Sequence, residues 1–90
     1  MKLPIQCPSC ENKLIVSKLI CENCLTEVSG KYSLPVLMQL NTEEQEFLIE
    51  FLISSGSLKE MANIMGKSYP TVRNKLDDII LKIKNIKENG

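Results

Sequence analysis

Apolar residues in the second half of the chain recur at helical spacing and are cut into segments by capping signals. Leu58, Met61, Ala62, Ile64 and Met65 form one run. It begins after Ser57, which stands three residues before Glu60 in an S-x-x-E capping box, and it stops at Gly66, suited to a left-handed C-cap. Only Gly66 and Lys67 then remain as a turn, because Ser68 can cap a second helix with Pro70 in its first turn, where a missing N–H costs nothing. Val72, Leu76, Ile79, Ile83 and Ile86 follow at spacings of four, three, four and three, with Ile80 widening the seam. Continued to about Lys87, this helix spans roughly 28 Å. Upstream, Phe47, Leu48, Phe51 and Leu52 make the buried stripe of an earlier helix. Asn41 or Thr42 caps it, with Glu44 or Gln45 closing a capping box in either register, and it ends near Ser54 to Gly56.

The first third changes character. Lys13 to Ile20 reads as a strand, and Thr26 to Val28, a turn at Ser29-Gly30 and Lys31 to Ser33 read as a short hairpin. Residues 34–40, LPVLMQL, are apolar and contain Pro35, which predicts a packed connector with room for a short helical turn. The expected organisation is therefore a small α+β chain: short strands over 1–33, the connector 34–40, and an all-α unit over 41–90 with a long final helix.

Cysteines give the strand region its chemistry. Cys7-Pro-Ser-Cys10 and Cys21-Glu-Asn-Cys24 are two C-x-x-C pairs ten residues apart, each able to form a tight knuckle that aims two thiolates at one point. Four sulfurs suit tetrahedral zinc, and a module this small needs such a staple. A redox C-x-x-C belongs to a strand–helix pattern that is absent here, and a disulfide framework needs an oxidising compartment. The expectation is a zinc ribbon with one structural Zn2+ on Cys7, Cys10, Cys21 and Cys24. Such a site is closed, with no open position for a substrate.

Net charge is zero, which on its face disfavours a nucleic-acid partner. The distribution alters that reading. Residues 41–56 hold four acids and no bases, whereas from Ser57 onward seven bases stand against four acids. MKLPIQCPSC has no apolar run suited to a signal peptide and no segment reaches transmembrane length, so a cytoplasmic location without membrane association is expected. The acidic start of the first helix complements its dipole, or else forms a patch for a basic partner.

Two helices joined by so short a turn, with small Ala62 at the crossing, match a helix-turn-helix that docks in DNA. The string E-M-A-x-x-M-G-x-S-x-x-T-V-R-x-x-L over residues 60–76 resembles the helix-turn-helix of sigma-factor region 4. With the cysteine module and SYPTVRNKLDDII, the whole chain resembles a family of small bacterial proteins of unknown function that join a zinc ribbon to a sigma-like helix-turn-helix. One departure is Lys67, where the pattern usually has an apolar core residue; the side chain either snorkels toward a phosphate or the turn is looser.

The expected DNA-contacting residues are Lys67, Ser68, Tyr69, Thr71, Arg73, Asn74, Lys75 and Asp77. Arg73 suits guanine O6/N7 and Asn74 suits adenine; Lys67 and Lys75 suit phosphates, with the Tyr69 and Thr71 hydroxyls fixing register. Asp77 turns down non-cognate sequences or accepts from a cytosine. Leu76, Ile79, Ile80, Ile83 and Ile86 are expected to form a homodimer seam, the alternative being that the first helix and connector cover them within one chain. The expected function is a DNA-binding transcriptional regulator acting on double-stranded DNA; the alternative is a module binding RNA polymerase or another regulator. With no histidine, no nucleophile beside a base and no phosphate-binding glycine loop, neither an enzyme nor a small-molecule substrate is expected.

Overall fold

The computed structural model describes residues 3–89, so residues 1, 2 and 90, the ends of the expected domains, lie outside it. The chain forms two compact units, one up to Gln39 and one from Leu40. Small antiparallel β structure is followed by three helices, the last of them long.

In the first unit, β1 (Val16–Ile20) pairs antiparallel with β2 (Glu27–Tyr32), from Ile20 opposite Glu27 to Val16 opposite Tyr32. This corrects the expected hairpin. Ser29-Gly30 is not a turn; both residues lie inside β2, and the chain reverses through the Cys21–Cys24 loop instead. The register shifts between Val16 and Lys18, so Gly30 and Lys31 of β2 oppose Ser17 of β1 alone and the extra residue forms a bulge. Gly30 sits there because Tyr32 folds back over it. Tyr32 Oη donates to Ser29 O at 3.3 Å, and a Cβ on Gly30 would lie 2.9 Å from the ring. Lys18 and Glu27 form an exposed cross-strand pair at 3.0 Å, worth little net energy. An isolated bridge joins Gln6 to Lys13 ahead of β1. The connector closes into a 3-10 turn over Val36–Gln39, held by Gln39 Nε2 donating to Leu34 O at 2.8 Å.

The helical unit follows its caps. Asn41 is the N-cap of α1 (Thr42–Ile53): its Oδ1 accepts from Glu44 N–H at 2.8 Å while Glu44 Oε1 accepts from Asn41 N–H at 2.9 Å. Ser57 caps α2 (Leu58–Met65) by accepting from Glu60 N–H at 3.1 Å. At its other end Gly66 has φ +64°, and Gly66 and Lys67 N–H groups donate back to the last carbonyls, Lys67 to Ala62 O at 3.0 Å. The turn is therefore tight, and Lys67 points its side chain to solvent. Helix α3 (Tyr69–Asn89) runs unbroken for 21 residues, about 31 Å.

Leu40, Phe47, Leu58, Met61, Ala62, Val72 and Ile79 form the core of this unit, with Leu48, Phe51, Met65, Leu76, Ile83 and Ile86 packed against it. Leu52 does not belong to the stripe expected of it, being 72% exposed. The acidic first turn of α1 has a specific task besides its dipole. Glu43 Oε1 accepts from Lys75 Nζ at 2.6 Å and Glu44 Oε1 from Lys82 Nζ at 2.7 Å, tying the first turn of α1 to α3 at two points.

Candidate nucleic-acid interface and cysteine knuckles

The N-terminal half of α3 presents its expected reading residues unequally. Ser68, Tyr69, Thr71, Arg73, Asn74 and Asp77 are all exposed, and they surround the buried Val72 that anchors the helix. The Ser68 and Thr71 hydroxyls are 2.8 Å apart, and Ser68 Oγ also accepts from Thr71 N–H at 3.4 Å, so this pair caps the helix while facing solvent. Arg73 Nε lies 3.4 Å from Asp77 Oδ1, one turn on. Both side chains are about half exposed, so the guanidinium is held against α3 by a weak pair that a guanine edge can replace.

Lys75 differs. It faces α1, paired with Glu43 and with its ammonium 5.5 Å from the centre of the Phe47 ring. The hydrogen bond from Lys75, and then its charge, hold the Glu43 carboxyl below the ordinary carboxylate value. The structure thus takes Lys75 out of the exposed set and gives it to the helix–helix contact. The physical reason is an acid 32 residues earlier in the chain, a partner that local spacing does not reveal.

The expected dimer seam is also redistributed. Ile79 is 1% exposed, and Leu76, Ile83 and Ile86 pack on the same core, to which α2 gives Leu58, Met61 and Ala62 and α1 gives Phe47, so this chain's own core covers what the heptad spacing offered to a second copy. Of the five residues only Ile80 is exposed, at 39%. A three-turn stripe facing a core has nearly the same spacing as a coiled-coil seam, and the packing decides between them.

In the first unit the two cysteine pairs sit in equivalent loops. Cys7 N–H donates to Asn12 O and Glu11 N–H to Cys7 O, both at 2.8 Å; Cys21 N–H donates to Thr26 O at 2.8 Å and Leu25 N–H to Cys21 O at 2.9 Å. The fourth residue after each leading cysteine, Glu11 and Leu25, has φ of 64° and 62°. Two unrelated side chains thus take the same strained conformation, about 1–2 kcal/mol each, at matching places, which is the mark of one loop shape built twice. Ser9 N–H donates to Cys7 Sγ at 3.4 Å, Asn12 Nδ2 to Cys10 Sγ at 3.6 Å, and Cys24 Sγ lies 3.0 Å from Thr26 Oγ1. Hydrogen bonds from the Cys10 and Ser9 backbone hold the Cys7 thiol below its ordinary value, and those of Thr26, hydroxyl before backbone, do the same for Cys24. All four thiols are free, and among the described residues no group of three or more Cys, Asp or Glu side chains is gathered about one metal position; the cysteines stand as two pairs. The donor set fits zinc: thiols alone, paired in knuckles, with N–H groups directed at sulfur.

Residues 40–86 match the family described as Domain of unknown function (DUF2089)-HTH, and residues 7–38 match the DUF2089 zinc ribbon. The chain belongs to this family. The DUF2089 ribbon match takes in both knuckles, β1 and β2, and the DUF2089-HTH match takes in α1, α2 and most of α3. No curated protein and no solved structure matches the chain significantly. Among the described residues, no helix is long and apolar enough to cross a membrane.

Proposed function

We propose that this DUF2089 chain is a cytoplasmic transcription regulator that reads double-stranded DNA through α3, with one structural Zn2+ held by Cys7, Cys10, Cys21 and Cys24. The observation that carries the reading is the α2–turn–α3 junction. A left-handed Gly66 and a Ser68 cap start a long helix whose first three turns leave Tyr69, Arg73, Asn74 and Asp77 exposed together. These side chains have the donor and acceptor sets that base edges require, and the membership of a helix-turn-helix family supports the same use. The sigma-like character of the pattern is part of this proposal. Zinc would draw the two knuckles to one centre and stabilise the ribbon; no catalytic role is assigned to it.

A second reading is an interaction module for RNA polymerase or another regulator. The pairing of Lys75 with Glu43 and of Lys82 with Glu44 favours it, since each of these cations already has an acid partner within the chain. Selection of DNA fragments by the purified protein, followed by binding at increasing salt, separates the two. Enrichment of a common site with salt-sensitive binding supports DNA reading. Absence of any DNA binding at low salt transfers the assignment to a protein partner.

A further inference from the structure

Each cysteine knuckle ends on a polar residue placed by the same backbone bonds. Asn12 and Thr26 stand five residues after the leading cysteines, Cys7 and Cys21, and two after the trailing ones, Cys10 and Cys24. In both loops the carbonyl of this residue accepts from the leading cysteine's N–H at 2.8 Å, and the residue before it, Glu11 or Leu25, has the positive φ that turns the chain back. With the backbone held there, the side chain returns to the trailing sulfur. Asn12 Nδ2 lies 3.6 Å from Cys10 Sγ, and Thr26 Oγ1 lies 3.0 Å from Cys24 Sγ. Neither residue belongs to β1 or β2, and both are exposed, so neither side chain is needed for strand pairing or to fill a core. An amide and a hydroxyl at matching places share a hydrogen to give to sulfur.

We propose that Asn12 and Thr26 are positioning residues for the metal centre: each donates to one trailing thiolate, and together they set how firmly the ribbon keeps zinc. The inference rests on the reading of Cys7, Cys10, Cys21 and Cys24 as the zinc ligands. A ligating thiolate has no proton, so in the Cys24–Thr26 contact the hydroxyl is the donor. Four thiolates outweigh the charge of one Zn2+, and Cys10, Cys21 and Cys24 are exposed, so water competes for the sulfurs. A donor fixed beside sulfur takes up part of that excess charge and keeps the thiolate aimed, without the ordering cost of a bound water. For Cys7 the Ser9 N–H serves from the backbone at 3.4 Å, and any residue but proline could supply it. For Cys10 and Cys24 a donor comes from the side chain, so the residue type matters.

The test uses the full chain and zinc itself. Affinity is read by competition with a coloured chelator, and Co2+ in place of zinc gives a sulfur-to-metal charge-transfer band that reports electron density at the thiolates. Thr26→Val and Asn12→Leu, which keep the branched shape and remove the donor, should each weaken zinc about tenfold or more. Both should also move the cobalt band to lower energy, because a sulfur without its donor gives up charge more readily. Thr26→Ser keeps the hydroxyl and loses a methyl, so it should behave as the parent, whereas a packing role would make it the more damaging change. A parent that takes up no metal overturns the zinc reading and this inference with it. A metal-loaded parent overturns the inference alone if either Thr26→Val or Asn12→Leu competes and absorbs as the parent does, or if Thr26→Ser falls with Thr26→Val.

Discussion

Ile79→Val removes one methylene from a side chain that is 1% exposed, in the middle of the contact between α3 and the rest of the helical core. A full truncation would be a poor probe. The helical unit has about fifty residues, and at roughly 0.05–0.15 kcal/mol per residue its stability is about 2.5–7.5 kcal/mol, which an Ile→Ala change of about 2–5 kcal/mol could exhaust. Ile→Val costs about 0.5–1.5 kcal/mol, from the lost transfer of a buried methylene and the small void it leaves. For a unit of about fifty residues, with roughly 2.1 cal/mol/K of unfolding entropy per residue, about 1 kcal/mol lowers Tm by about 10 °C. The assay is thermal unfolding followed by helical circular dichroism, at two protein concentrations tenfold apart. The shift between parent and variant should be the same at both, because the packing lies inside one chain. Ile80→Val, one residue on and 39% exposed, should cost only a few tenths of a kcal/mol. A loss at Ile79 below about 0.3 kcal/mol, or one that shrinks as protein concentration rises, would refute the placement of Ile79 in the core of a single chain.

Purified protein should contain one zinc per chain, and a chelator should unfold the β1–β2 unit while α1–α3 keep their helical signal; two disulfides and no metal in freshly prepared protein would contradict this. Arg73→Ala should weaken a selected DNA site by about 1–3 kcal/mol and relax the choice of base at one position. Lys75→Ala, by contrast, should act mainly on folding stability, because that ammonium is engaged by Glu43 and Phe47, and its effect on DNA affinity should be the smaller of the two. The depressed Glu43 pKa gives a pH signature: its stabilising share is present above the unfolded carboxylate pKa and is lost as pH falls through the lower folded value. Lys75→Met should remove that share, so parent and variant unfolding curves should converge toward acid pH.

The helices were legible because their ends carry their own chemistry. Asn41 with Glu44, Ser57, Gly66 and Ser68 each act within three or four residues, so spacing alone locates them. The ribbon was harder. Ser29-Gly30 has turn composition, but the Cys21–Cys24 loop already reverses the chain, and Gly30 is required for its closeness to the Tyr32 ring. Leu52 was misplaced because α1 has isoleucine and leucine on its outer face too, so apolar character does not distinguish its two sides. At the candidate interface, exposure of Tyr69, Arg73, Asn74 and Asp77 follows from the anchoring of Val72 and could be read from period. The withdrawal of Lys75 depends on an α1 residue 32 positions away, and the burial of Ile79 within one chain on core residues of other elements, which no local pattern encodes.

The same Glu44 oxygen accepts from the Asn41 N–H at the start of α1 and from the Lys82 ammonium on α3. A helix end normally frays independently of the rest of the fold, but here opening the first turn of α1 also releases Lys82. The Asn41 and Glu44 amides should therefore exchange their hydrogens with solvent more slowly than those of an ordinary helix start. Lys82→Met should hasten that exchange 38 residues away while the amides at the start of α2 keep their rates.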